Sequence, residues 1–339
     1  MAETVAAVVV TYNRKELLKE CIEGILNQTT PVDTLVIVDN DSTDGTPEFL
    51  RELSLIGAPA QVTDIPREVR HVIYSKYDPR REIVVSFVRM QHNTGGAGGF
   101  YEGMKRAYEK GYDWIWVMDD DVQPEQDCLA RLLSRQSPQV RCMVPLRLSP
   151  SGGIVRWPFR FDLDRLESWR PEEGEETWNN PVEADGTCFE GGLFHRSVVE
   201  QVGLPERLLF IAWDDTEYGL RLREVTSILY VTDAKLVRLR EERPSVRSLL
   251  RLGLNKKSVV LVPPWKLYFV GRNMFYLKEK HSRGLRQLFN LWRNAVVYLL
   301  SPVLYLDPDI YGRIRETASG VWDGARGNFN YPNADDEHR

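Results

Sequence analysis

Three consecutive carboxylates, Asp119, Asp120 and Asp121, follow the apolar stretch Trp114 to Met118 in this 339-residue chain. Adjacent carboxylates repel one another unless a cation or hydrogen-bond donors compensate them. A hard divalent ion does so well, because oxygen ligands suit Mg2+ or Mn2+ and such ions keep positions open for phosphate oxygens. A second acidic group, Trp213-Asp214-Asp215-Thr216-Glu217, opens a helical pattern, where the helix dipole favours negative charge. A helix cap needs one carboxylate. Two beside a tryptophan exceed that need, so Asp215 is a candidate general base for an attacking hydroxyl, with Asp214 shaping the acceptor site next to it.

Other polar residues fall at the ends of apolar runs: Thr11-Tyr12-Asn13-Arg14, Asp39-Asn40-Asp41, and Asn93-Thr94-Gly95-Gly96-Ala97-Gly98-Gly99. In open α/β sheets, ligands bind beyond the carboxyl ends of strands, so these segments and the acidic triplet form one candidate set. Asp39 and Asn40 are placed to meet a base or ribose, whereas Ser42 and Asp44 suit an Asx turn that starts the next helix. Glycines after Asn93 allow backbone N–H groups to approach a diphosphate, or serve a tight strand-to-helix turn alone. No Walker lysine follows them and no dinucleotide fingerprint follows the first strand, which excludes the common NTPase and dehydrogenase patterns.

The elements that must carry these residues alternate. Val5 to Thr11 is a β-branched run suited to a strand covered on both faces, and apolar residues from Leu17 to Leu26 recur at helical spacing. Leu35 to Val38, Ile83 to Val88 and Trp114 to Met118 read as further strands; Gly99 to Lys110 and Gln123 to Leu133 read as helices. Such alternation predicts an α/β fold with a parallel sheet. Residues 54 to 80 read as an insertion loop and 150 to 186 as a long loop near the site. From Pro244 the chain turns basic and helical, with segments Trp265 to Lys280 and Leu285 to Leu306.

Apolar residues make up 42% and charged ones 27%, which excludes a disordered or fibrous chain. The net charge of -5 conceals an asymmetry: residues 235 to 296 hold 15 Lys/Arg against 3 Glu. Such a region fits anionic headgroups or an acidic acceptor. Leu291 to Leu306 is apolar but interrupted, and shorter than the ~20 residues that cross a bilayer, so interfacial contact is expected rather than spanning. The four cysteines form no C-x-x-C pair and read as reduced structural thiols. Without a signal-peptide pattern the expected location is the cytoplasm, with peripheral contact at the inner face of the membrane as the alternative.

In this order, Val8 to Arg14, Val38 to Thr46, the acidic strand end and Trp213-Asp214-Asp215 resemble the family 2 glycosyltransferases of GT-A fold over about residues 5 to 240. Asn93 to Phe100, Glu190-Gly191-Gly192-Leu193-Phe194 and Trp213 to Glu217 look like the galactofuranosyltransferases and their rhamnosyltransferase relatives. The resemblance implies a GT-A catalytic domain over residues 1–243, followed by a basic, mostly helical region over 244–339. It implies inverting transfer from UDP-galactofuranose, or from dTDP-rhamnose, to a glycan or glycolipid acceptor, and no nucleic-acid partner. By the same resemblance Asp119 and Asp121 hold Mn2+ or Mg2+ and Asp120 lies beside the donor. Thr11, Tyr12, Asn13, Arg14, Asp39, Asn93, Gly95, Gly96 and Ala97 belong to the nucleotide-sugar site. Asp215 is the base, and Trp213, Gly191 and Gly192 line the sugar pocket.

One position departs from the family pattern. Where the family supplies a histidine to the metal, two dozen residues past the Asp-Asp pair, this chain has Arg238, Leu239 and Arg240, arginines that could meet the diphosphate directly. Two rival classes stay open: a sugar-phosphate nucleotidyltransferase, which would carry a glycine-rich basic loop after the first strand, and a non-catalytic glycan- or nucleotide-binding relative.

Overall fold

The computed structural model describes residues 3–57, 67–75, 80–156, 160–162, 167–169, 181–241, 262–281, 284–304, 307 and 309–330. The 243/244 boundary and the tail beyond 330 lie outside the described residues.

The apolar β-branched runs form strands, as their covering on both faces requires. β1 (Val5–Thr11) is buried along its whole length, and α1 (Lys15–Leu26) turns Leu18, Cys21, Ile22 and Ile25 onto it. β2 (Thr34–Asp39) and α2 (Thr46–Glu52) follow, then β3 (Arg67–Tyr74), β4 (Glu82–Arg89), α3 (Gly95–Glu109) and β5 (Trp114–Asp119). β5, β1, β2 and β4 run parallel in that spatial order, with Val10 opposite both Asp119 and Val38. Their carboxyl ends therefore share one edge, and that edge carries Thr11, Asp39, Arg89 and Asp119.

Two sequence expectations need correction here. Residues 67 to 74, expected within a loop, form β3, an antiparallel edge strand on β4. Gln123 to Leu133 is not one helix: β6 (Val122–Pro124) pairs with a later strand, and only α4 (Cys128–Leu133) is helical. Pro124 lacks the N–H a helix interior needs, and it packs where a Cβ on Gly24 would lie 2.8 Å from its Cδ.

The second half of the sheet is mixed rather than parallel. β7 (Val140–Leu148), β8 (Ile154–Arg156), β9 (Arg160–Asp162), β10 (Glu167–Trp169) and β11 (Val182–Ala184) precede β12 (Gly192–His195), α5 (Arg196–Val202), α6 (Asp214–Leu222) and β13 (Ser227–Arg238). β12 inserts antiparallel between β5 and β7, and the full order is β11-β13-β7-β12-β5-β1-β2-β4-β3, with β6 and β8 on its flank. β9 and β10 make a separate ribbon. The described parts of 150 to 186 thus hold short strands as well as loop.

Among the described residues, three helices follow β13: α7 (Pro264–His281), α8 (Leu285–Leu304) and α9 (Ile310–Ala325), the last unanticipated from sequence. Gly320 and Gly324 of α9 admit the backbone of Tyr268 and Arg272 of α7, where added Cβ atoms would stand 2.0 Å and 2.7 Å from the carbonyl oxygens. All four cysteines are buried free thiols, as expected from their scatter.

The fit between α3 and the sheet depends on glycine. A Cβ on Gly99 would sit 2.4 Å from Val10 Cγ1, and one on Gly103 2.3 Å from Val8 Cγ1. Gly99→Ala is expected to lower stability by about 1–3 kcal/mol, read as a lower urea midpoint at unchanged m-value; an unchanged midpoint would mean that α3 is free to shift outward.

Candidate active site

The acidic triplet ends β5 and each member has a different environment. Asp120 is buried, and its carboxylate accepts hydrogen bonds from Thr11 Oγ1 at 2.7 Å, Tyr12 N at 3.4 Å and Arg14 Nη1 at 3.1 Å. Arg14 also reaches Asp121 Oδ2 at 3.0 Å. Burial lifts the Asp120 pKa to about 6 against the pull of Arg14 and Thr11, with Asp121 adding to the rise. Burial pushes Asp119 well above the usual carboxylate range, and the charges of Asp121, Glu190 and Asp120 push it further.

The β1 and β2 loops are stapled to each other. Asn13, in the left-handed region at φ 54°, donates from its amide to Ser42 Oγ at 2.9 Å and accepts from Thr43 N at 2.7 Å through its side chain. Asn and Asp tolerate that backbone better than most residues. Asp39 is fully buried: Oδ1 accepts from Ser42 N at 2.9 Å and Oδ2 from Arg89 at 2.6 Å, while Arg89 also holds Asp41. Asp44 accepts from Lys15 N and Thr46, the turn role expected of it. A cavity of about 470 Å3 opens beside Arg89, lined by Thr43, Arg51 and Met90, and none of its lining comes from β1, β5 or α6.

The glycine-rich loop begins α3. Asn93 Oδ1 accepts from Gly95 N, Asn40 bridges Thr94 and the Gly95 carbonyl, and Ala97 N donates to Phe210 O at 3.0 Å. A Cβ on Gly95 would fall 2.2 Å from that same Phe210 oxygen. Close packing is therefore the visible use of these glycines, and Gly95 and Ala97 direct their amides at protein acceptors. Gly96 faces Phe100 at ordinary contact distance.

A cluster missed in the sequence reading lies between the two acidic groups. Gly191, at φ 86°, and Gly192 pack too tightly against Pro145, Leu236 and the Cys188 carbonyl to carry a Cβ, and their turn presents Glu190. Arg238 binds Glu190 through two hydrogen bonds, of 2.8 Å and 2.5 Å, and buried Arg147 stands 3.7 Å from the same carboxylate. Burial opposes the charge on Arg147, yet Cys188, Tyr230, Glu190 and Asp215 together raise its pKa. Leu239 N donates to Asp121 O at 2.8 Å, so the Arg238–Arg240 stretch does lie beside the triplet, with the Arg238 guanidinium turned to Glu190. A sequence signal existed for Glu190, next to its two glycines; none marked Arg147.

Asp214 and Asp215 start α6 after a loop of unusual backbone: Phe210, Ala212 and Trp213 have φ of 59°, 67° and 68°. Such conformations cost on the order of 1–3 kcal/mol each and persist only where the surroundings enforce them. Asn273 of α7 supplies the enforcement. Fully buried, it donates from Nδ2 to the carbonyls of Leu209 at 2.7 Å, Ile211 at 3.0 Å and Ala212 at 2.9 Å. Arg272 donates to Leu208 O, and Trp213 Nε1 to Val270 O at 3.2 Å. Burial and the neighbouring Asp215 raise the Asp214 pKa to about 7, while Asp215 Oδ1 accepts from Thr216 N at 2.6 Å.

Among the described residues no three His, Cys, Asp or Glu side chains converge into a ready metal site. The chemistry of Asp119 and Asp121 nonetheless fits a hard cation: two oxygen donors, crowded by like charge that a cation would offset.

This fold, a nucleotide-sugar-transferase type of α/β sheet with acidic residues along its carboxyl edge, is the GT-A fold. It is shared with the crystal structure of GalNAc-T7 with UDP, GalNAc and Mn2+, at a TM-score of 0.56 and 12% identity over 94% of this chain and 55% of that one. The chain belongs to glycosyl transferase family 2, whose model matches residues 6–75 and 68–203. It is 31% identical over 227 residues to the galactofuranosyltransferase GlfT1 of Mycobacterium tuberculosis, covering 66% of this chain and 65% of the relative. Against GlfT1 of Mycolicibacterium smegmatis the identity is 32% over 233 residues, 65% of each chain. The similarity thus spans just under two thirds of these relatives' length.

Removing the loop's anchor should be costly: Asn273→Ala is expected to lose about 1–3 kcal/mol in denaturant unfolding, and Asn273→Asp, which cannot donate, no less. The Asp214 pKa sets a second expectation. The folded chain keeps a proton that the unfolded chain releases near pH 4, so the stability this group contributes is full below about pH 4 and lost as pH rises through about 7. In metal-free buffer at pH 8, Asp214→Asn should therefore melt roughly 2–4 °C above the native chain, and the gap should close toward pH 4; a pH-independent gap would refute the raised pKa.

Proposed function

We propose that this chain is an inverting glycosyltransferase that moves a hexosyl group, galactofuranose, from its uridine diphosphate to a hydroxyl of a glycan or lipid-linked glycan. The observation that carries the reading is the pairing of two acidic centres, Asp119–Asp121 at the end of β5 and Asp214–Asp215 at the start of α6, linked electrostatically through Glu190 and Arg147, with Arg238 on Glu190. Transfer to a hydroxyl needs both halves: a place where a leaving diphosphate is charge-compensated and a carboxylate that takes the acceptor proton. The curated relatives named galactofuranosyltransferases support the sugar; dTDP-rhamnose is the alternative donor.

In this mechanism Asp119 and Asp121 would hold a divalent ion, Mn2+ or Mg2+, which would supply positive charge to a leaving diphosphate. Arg14 fixes Asp120 and Asp121 relative to each other and orders the Thr11–Arg14 loop at the donor site. Asp214, its pKa raised to about 7 by burial and by Asp215, lies beside the proposed base Asp215. Asp215 draws the proton from the acceptor hydroxyl, whose oxygen bonds to the anomeric carbon as the bond to the diphosphate breaks, and the configuration inverts. Trp213, held by Val270, and the Gly191–Gly192 turn border the sugar.

The reading is tested by Asp215→Asn, expected to bind UDP-galactofuranose in a thermal-shift assay with Mn2+ while transfer falls about 100-fold or more. Turnover near the native level would remove Asp215 from the mechanism. In the same assay Asp121→Asn should lose the Mn2+-dependent part of the donor shift; stabilisation by dTDP-rhamnose in place of the uridine sugar would overturn the donor.

A further inference from the structure

Helix α8 is apolar on two opposite faces, and the protein covers one. Leu291 and Ala295 pack with Met274, Phe275 and Val321 of α7 and α9 in a small core, and Asn290 and Pro302 are buried on the same side. The other side presents Leu285, Phe289, Val296, Leu300 and Val303, with Leu285 87% and Phe289 70% exposed, and half-exposed Trp292 borders it with its ring edge-on to Phe275. At 3.6 residues per turn the first five fall on one stripe running the length of the helix, about 30 Å. A helix apolar all round is ordinarily buried, and a stripe of this extent on a soluble surface marks a contact site.

The charges around the stripe name the partner. No acidic residue occurs between Glu279 and Asp307, and Lys280, Arg286 and Arg293 of that stretch are exposed. Two copies of the chain meeting through this stripe would bring the same arginines toward each other across a two-fold axis, which costs energy. An anionic lipid surface instead receives both components, the apolar stripe at the headgroup boundary and the basic rim at the phosphates. No described helix is long and apolar enough to cross a membrane, and Arg293, Asn294 and Pro302 within α8 agree with a helix lying in the surface.

We infer that the outer face of α8 is a docking surface for an anionic phospholipid bilayer, with Phe289 and Trp292 entering the headgroup boundary and Arg286 and Arg293 pairing with lipid phosphates. The inference does not depend on the transfer reaction.

Flotation of the full chain with vesicles tests it, using phosphatidylcholine alone or with about 30% phosphatidylglycerol. The chain should float with the anionic vesicles and be released by high salt. Phe289→Ser with Trp292→Ser, and separately Arg286→Glu with Arg293→Glu, should each reduce the bound fraction about tenfold or more while the melting temperature is kept. The arginine pair, exposed on the surface, keeps the test decisive if the serine pair unfolds. Failure to float with either vesicle, equal flotation with neutral and anionic vesicles, or a soluble dimer that the serine pair converts to monomer would each overturn the inference, the last by assigning the face to a second copy.

Discussion

Crowding of negative charge at the end of β5 is the constraint around which the rest is arranged. The register that sets Asp119 opposite Val10 brings three carboxylates, one buried and two partly buried, to one point on the sheet edge, where distance cannot dilute them. Asp120 is tied down from β1 by Thr11, Tyr12 and Arg14, so the β1 loop owes its path to a residue of another strand. Asn13 passes that order on to the β2 loop through Ser42 and Thr43. The loops beyond β1 and β2 are thereby fixed before any ligand arrives, and preorganisation of this kind lowers the cost of binding an anion.

A different economy governs the second acidic centre. Its loop runs through three left-handed residues, none of them glycine, and would relax if left to itself. The hydrogen bonds that hold it come from α7, across a gap of some 60 residues in sequence, and α9 in turn grips α7 through Gly320 and Gly324. The C-terminal helices thus act as part of the site, which a division of the chain into a catalytic unit and an appendage does not convey. The fit is local: it depends on one buried carboxamide with three carbonyl acceptors, an arrangement that would be expensive to leave half made.

What could be read from the sequence follows the range of the interactions. β1, β2, β4 and β5 announced themselves as β-branched runs, because covering on both faces leaves a composition signal inside a single segment. The acidic pairs were likewise visible as neighbours in the chain. β12 was not: four residues, two of them the packed Gly192 and Leu193, make a strand only because β5 and β7 flank them. Gln123 to Leu133 misled because Cys128, Leu129, Leu132 and Leu133 recur at helical spacing, whereas Val122 and Pro124, two residues apart, alternate as a strand that β13 claims as a ladder. Asn273, Arg147 and the pairing of Arg238 with Glu190 are contacts at long sequence range between residue types that occur everywhere, and no local pattern encodes them.

The stretch Arg238–Arg240, where the resemblance implied a histidine, enters the charge balance of the site through Arg238. Around the triplet stand four carboxylates, Asp119, Asp120, Asp121 and Glu190, and three guanidiniums, Arg14, Arg147 and Arg238. Fully ionised, the set is one positive charge short of neutral, and the deficit falls on Asp119, whose pKa burial and its acidic neighbours drive upward. A neutral histidine in place of Arg238 would deepen that deficit and leave Glu190 with Arg147 alone. With the arginine present, one divalent cation would carry the cluster to a single net positive charge, the sign that a departing diphosphate requires. Arg238 brings its positive charge to the cluster through Glu190.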